Sequence, residues 1–216
     1  GPVAEGSAGG GTGMNCYDFK GGNGTASRLV PYGSRTFTVA AFVQANFGAR
    51  AELTVAGHHV GPRLLDDNPL DGDWFARDLA GAPPPGAGSV IAIVATDAPL
   101  LPGQCKALAR RVPLGLARTG TTGSHFSGDI FLAFSTAEVP GLASAFPVGT
   151  PGEDDFGTIT FLPWGRMDPL YTAVVQSVEE AVLNAMIVND DMVGRDGHRS
   201  PRLPIDRLSA LLGSPT

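Results

Sequence analysis

Eight consecutive residues, Ser89 to Thr96 (SVIAIVAT), carry no charge and no breaker. A run this short and this rich in Val and Ile fits a β-strand buried on both faces. Such a strand needs a layer on each side of its sheet. Asp129 to Phe134 (DIFLAF) reads the same way. With the helical stretches below, the two runs predict an α/β chain in which sheets lie between helices. The hydrophobic share of 43% is enough for that core, and 216 residues fit one domain.

The remaining elements follow from pattern and punctuation. Arg35 to Asn46 (RTFTVAAFVQAN) is an uninterrupted strand. Glu52 to Ala56 is a second strand, and Gly48 between them suggests a hairpin. Phe156 to Leu162 reads as one more strand. Gln104 to Arg118 has helical composition, with Pro113 forcing a kink or restart. Asp168-Pro169 opens a helix, the aspartate as capping carboxylate and the proline in the first turn. That helix places Leu170, Val174, Val178, Ala181, Val182 and Ala185 on one stripe and ends between Asn189 and Gly194. Ile205, Leu208, Leu211 and Leu212 indicate a short terminal helix. Residues 57–88 lose all periodicity. They contain Asp66, Asp67, Asp71 and Asp73 and end in Pro83-Pro84-Pro85-Gly86-Ala87-Gly88.

Several functions are excluded early. The formal net charge is −6 and no basic stripe is present, which argues against nucleic-acid binding. No apolar run approaches the roughly 20 residues of a membrane-spanning helix. Cys16 and Cys105 are too few for a disulfide framework or a four-thiolate metal site, so both are expected as buried free thiols. His58, His59 and His198 have no ligand partners at metal spacing, and no metal is expected. Gly9-Gly10-Gly11-Thr12-Gly13 lacks the Gly-Lys-Ser/Thr ending of a phosphate loop, and no cofactor is expected. The chain opens inside a glycine-rich stretch, without an initiator methionine or a signal-peptide pattern. That start suggests a fragment or a processed product, with a cytoplasmic location.

The chemistry concentrates at one junction. A Pro/Gly-rich segment meets the apolar strand at Gly88–Ser89. Ser89 is either an ordinary strand-start residue or, if that bond is cut, an N-terminal nucleophile. The second reading needs no histidine. A free α-amine, with a reference pKa of about 7.7–8.0, can take the proton of the hydroxyl on its own residue. A second cluster is Gly123-Ser124-His125-Phe126-Ser127-Gly128-Asp129. Ser127 and Asp129 lie two apart at a strand start and so point the same way. They either form a capped turn or orient an amine or hydroxyl. A Ser-His-Asp triad through His125 is disfavoured, because the residues are too close in sequence and no Gly-x-Ser-x-Gly elbow is present.

These segments carry a family resemblance. SVIAIVATDAPL from Ser89 resembles the start of the β-subunit in DmpA-type L-aminopeptidase/D-esterases and β-peptidyl aminopeptidases. GSHFSGDIFLAFSTA (123–137), Val43 to Gly48, GSAGGGTGM (6–14), Glu179 to Ala185 and Gly194 to Gly197 resemble further motifs of that family, in order. The resemblance implies a four-layer αββα fold, similar to Ntn hydrolases with different connectivity. It implies self-cleavage between Gly88 and Ser89. Residues 1–88 would be the C-terminal part of an α-subunit and 89–216 the β-subunit, together one domain lacking its N-terminal part. Ser89 would be the nucleophile. Ser127 and Asp129, where relatives can carry Glu, would hold the amine and hydroxyl. Asn46 would serve the oxyanion hole. The implied substrates are short peptides, amides or esters with a free amine, and the implied assembly is a homo-oligomer of αβ units. The family's oxyanion tyrosine has no counterpart here, since Tyr17 and Tyr32 lie in other motifs, and Glu138 stands where Asn is common. An ornithine-acetyltransferase-like acyltransferase is an alternative, disfavoured by serine in place of threonine. A truncated relative with an assembly or binding role is the other.

Overall fold

In the computed structural model, residues 2–68, 88–138, 146 and 148–213 are described. The strands in chain order are β1 (Asn15–Cys16), β2 (Phe19–Lys20), β3 (Gly22–Tyr32), β4 (Arg35–Asn46), β5 (Thr54–Val55) and β6 (His58–His59). Then come β7 (Ser89–Thr96), β8 (Ile130–Ser135), β9 (Met192–Val193) and β10 (Arg199–Ser200). The helices are α1 (Pro102–Ala109), α2 (Val112–Arg118), α3 (Asp168–Ile187) and α4 (Ile205–Leu212).

One four-stranded sheet in the order β3-β4-β7-β8 organises the rest. β3 and β7 flank β4 antiparallel, while β7 and β8 run parallel. A parallel pair needs a long crossover, and α1 and α2 lie within it, restarted at Pro113 as the sequence indicates. α3 packs across β3 and β4. Its predicted stripe is fully enclosed: Leu170, Val174, Val178, Ala181, Val182 and Ala185 are all buried, against the alternate residues Val39, Ala41 and Val43 of β4. Leu170→Ala in this stripe is expected to cost about 2–5 kcal/mol of stability, read as a lowered urea midpoint.

β3 is not among the strands read from the sequence. Gly24 within it has a packing reason. A Cβ on Gly24 would lie 1.9 Å from the carbonyl oxygen of Ala181, so only glycine lets α3 sit this close to the sheet. Three other expectations are corrected. Thr54–Val55 pairs with His58–His59, not with β4, because β3 and β7 already occupy both edges of β4. Residues 156–162 form no strand: the Leu162 N–H donates to the Pro99 carbonyl and its own carbonyl accepts from Gln104 Nε2, while Phe156 is exposed. Asp168 is the first residue of α3, not its side-chain cap.

The sheet is also covered differently from the expectation. Val90, Ala92, Val94 and Thr96 of β7 face the helices and are buried. The other face carries Ser89, Ile91 and Ile93, with Ile91 at 40%, Ile130 at 59% and Leu132 at 53% exposure. Both strands therefore have one apolar face in solvent. The reason is that the described residues place helices on one side only. Cys16 and Cys105 are free and buried, as expected, and burial pushes the Cys16 thiol far above its ordinary value. Asp71, Asp73 and the segment Pro83 to Gly86 lie outside the described residues. Asp66 and Asp67 pair with Arg207 and Arg199, which ties residues 66–67 to the C-terminal segment. Among the described residues, no helix is long and apolar enough to cross a membrane.

Candidate active site

The end of the β4–β7 ladder brings the first two site residues together. Asn46, the last residue of β4, is the register partner of Ser89, the first residue of β7. Gly88 runs so close to β4 that a Cβ there would lie 2.1 Å from the Asn46 carbonyl oxygen. Glycine before the serine is thus a steric requirement of this junction.

The parallel neighbour β8 supplies the other wall. The turn leading into it is closed by the Ser127 N–H donating to the Ser124 carbonyl at 3.0 Å. Gly128 N–H then donates to Ser89 Oγ at 2.8 Å. Asp129 Oδ1 accepts two hydrogen bonds, one from Val90 N–H at 2.9 Å and one from the Ser127 hydroxyl. A carboxylate is therefore held against the peptide that follows Ser89. Ser89, Ser127 and Asn46 are half-buried and Asp129 is exposed, so the constellation opens towards the uncovered sheet face. His125 packs edge-on against Phe126, with ring centroids 5.3 Å apart.

The Asn46 amide has a defined orientation. Its Oδ1 accepts from Asn15 N–H at 3.0 Å. A backbone N–H can only donate, so the atom facing it must be the oxygen. The amide NH₂ is turned the other way. Asn15 belongs to the β1–β2 hairpin, which also braces the opposite wall: the buried Tyr17 hydroxyl accepts from Thr121 N–H at 3.1 Å and shares a 2.6 Å hydrogen bond with the Thr119 hydroxyl. Burial pushes that phenol well above its ordinary value. At the hairpin base Lys20 is 1% exposed, and burial lowers its ammonium to about 8.

All four candidate side chains named from the sequence are thus brought to one strand end. The donors Asn15 N–H and Gly128 N–H were missed, since a backbone amide leaves no trace in side-chain identity. Among the described residues, no cluster of three or more His, Cys, Asp or Glu is placed to hold a metal.

Residues 1–200 match the family model described as peptidase family S58. The chain belongs to peptidase family S58. It is 42% identical over 214 residues to the β-peptidyl aminopeptidase BapA of Sphingosinicella microcystinivorans, covering 98% of this chain and 52% of that relative. Among solved structures it is similar to the L-aminopeptidase D-Ala-esterase/amidase of Ochrobactrum anthropi, with a TM-score of 0.81 and 43% identity over 98% of this chain and 53% of that one. That enzyme is described as a prototype serine aminopeptidase and a new variant among the Ntn hydrolase folds. A Burkholderia sp. β-aminopeptidase matches with a TM-score of 0.78 and 41% identity, over 98% and 54% of the two chains. This S58 chain therefore has the Ntn-variant fold that the motifs implied. It spans about half the length of the relatives it matches.

Proposed function

We propose that this S58 chain carries the nucleophile-bearing part of a self-processing serine aminopeptidase. The single observation behind the reading is the junction itself: Gly88–Ser89 lies opposite Asn46 and beside the Ser127–Asp129 pair.

Processing comes first. Ser89 Oγ adds to the Gly88 carbonyl carbon, the Gly88–Ser89 C–N bond breaks, and the acyl group passes from nitrogen to oxygen. Water then hydrolyses the ester, leaving a Gly88 carboxylate and a free Ser89 α-amine. Turnover uses the freed amine together with the Ser89 hydroxyl. The amine takes the proton of its own hydroxyl while Oγ adds to the substrate carbonyl. The Asn46 NH₂ donates to the oxygen on which charge develops. Collapse expels the leaving amine or alcohol with that proton, and water frees the acyl group. Gly128 N–H holds the Ser89 rotamer and favours its developing alkoxide. Asp129, beside the Ser89 backbone, stabilises the ammonium form of the amine and keeps Ser127 in place.

The substrate class follows from the relatives, which are described as a β-peptidyl aminopeptidase and as an L-aminopeptidase and D-Ala-esterase/amidase. Short peptides, amides or esters with a free amine are the corresponding substrates here. The reading includes residues 1–88 and 89–216 as parts of α- and β-subunits, assembled as a homo-oligomer of αβ units. The exposed row Ile91, Ile130 and Leu132 supports burial of this sheet face by further protein.

N-terminal sequencing of the purified full-length protein tests the reading. A second N-terminus beginning Ser-Val-Ile-Ala is the expected result. An intact Gly88–Ser89 bond in protein that still hydrolyses aminoacyl p-nitroanilides would sink it.

A further inference from the structure

The Asn46 amide is held through one peptide plane. Asn15 N–H, which donates to Asn46 Oδ1, shares its peptide unit with the Met14 carbonyl. Lys20 Nζ donates to that carbonyl at 2.6 Å, and to the carbonyls of Gly21 at 2.7 Å and Gly11 at 3.1 Å. The peptide is trans, as every described peptide bond is, so its C=O and N–H point in opposite directions. The ammonium thus pulls on one end while the Asn46 oxygen accepts from the other. A cation on the carbonyl polarises the unit and strengthens its N–H as a donor.

The surroundings fix this arrangement. Lys20 pairs with Asn15 across β1–β2, and its own N–H donates to the Pro201 carbonyl at 2.7 Å. Between them, Tyr17 and Asp18 have φ of 52° and 57°. Two successive non-glycine residues in the left-handed region are unfavourable, and they persist only where the surroundings over-determine the turn. Burying an ammonium is costly unless its donors are used. Three carbonyls use them here.

We propose that Lys20 is a positioning residue for Asn46, acting through the Met14–Asn15 peptide to turn the Asn46 NH₂ towards the carbonyl attacked by Ser89. The inference rests on the proposed role of Asn46, and it predicts an effect on the chemical step rather than on substrate binding. No contact between Lys20 and substrate is involved.

The test uses two variants of the full-length protein. Lys20→Met removes the ammonium. Asn15→Pro removes the one N–H and leaves Lys20 untouched. Met14 already has φ −96° and ψ 142°, the extended conformation that a residue before proline adopts. Each variant is expected to lower kcat by about tenfold with KM within about twofold, the signature of an interaction made mainly in the transition state. In an Asn46→Ala background the same changes should have no further effect on kcat. Equal losses in both backgrounds, or a wild-type kcat for Asn15→Pro, would overturn the proposal. A readout without catalysis separates this inference from the functional one. Hydrogen exchange at the Asn15 amide should accelerate at least about tenfold in Lys20→Met, as a lost local hydrogen bond requires. If the wild-type protein neither processes nor hydrolyses, the enzyme reading fails while exchange still reports on the relay. Unchanged exchange overturns the relay even in active enzyme.

Discussion

Ser89→Ala is expected to leave the Gly88–Ser89 junction uncut and to abolish hydrolysis. The reason is that in the proposed mechanism one oxygen serves both reactions. In the uncut chain Ser89 Oγ is the hydroxyl adjacent in sequence to the Gly88 carbonyl, and after cleavage the same atom attacks substrate. Removing the nucleophile of a covalent hydrolase costs about 10⁶-fold in kcat, and here the loss is compounded because the amine base is never released. The fold should be indifferent to the change. Among the described residues Ser89 Oγ accepts from the N–H of Gly128, an exposed residue that water can satisfy. The expected pattern is therefore one intact mass, no release of p-nitroaniline and an unchanged melting temperature. A mutant cleaved at the same bond would show that another group performs the cut. A mutant that is uncut yet active would show that the α-amine is not the base.

How much of this was readable beforehand depended on the kind of signal. β4 and β7 announced themselves by composition and occupy the expected residues, and α3 by its period, with only its end a few residues early. The site side chains were readable because Ser89 and Ser127/Asp129 start the two apolar strands, and parallel pairing of β7 with β8 places those starts side by side. What failed were features decided by neighbours. Gly24 weakens a strand signal locally, yet its missing Cβ is what admits α3. Phe156, Ile159 and Phe161 suggested a strand, but a strand exists only with a hydrogen-bonding partner, and the described residues offer them none. Lys20, in a glycine-rich stretch, carries no sequence signal that singles it out. Its burial depends on three carbonyls that only the folded hairpin gathers. The uncovered outer face follows the same rule: SVIAIVAT signalled two apolar faces, and the described residues cover only one of them.

Asp129 is the position where the second large effect is expected. Its Oδ1 collects the Val90 N–H at 2.9 Å and the Ser127 hydroxyl. Those two bonds lock the carboxylate one residue from the Ser89 nitrogen. In the uncut chain that nitrogen is an amide with no charge. In the proposed mechanism it cycles, once freed, between amine and ammonium at each turnover, and a fixed negative charge nearby stabilises the ammonium that forms as Oγ loses its proton. Asp129→Ala removes the charge and frees Ser127 to rotate. A loss of about 10³-fold in kcat is expected, within the range for a positioned acid–base group, with KM little changed. Asp129→Asn separates charge from shape. It keeps an oxygen in place of Oδ1 that can accept both hydrogen bonds, so the turn persists while the electrostatic support disappears. Its kcat should fall nearly as far as that of the alanine variant. Asp129→Glu keeps the charge one methylene further out and should retain more activity than either. Ser127→Ala, which removes a donor to the carboxylate but no charge, should cost less, about 10-fold to 100-fold on the scale of a single charge-assisted hydrogen bond. An Asp129→Asn enzyme as active as the wild type would mean that the carboxylate shapes the turn and takes no part in proton transfer.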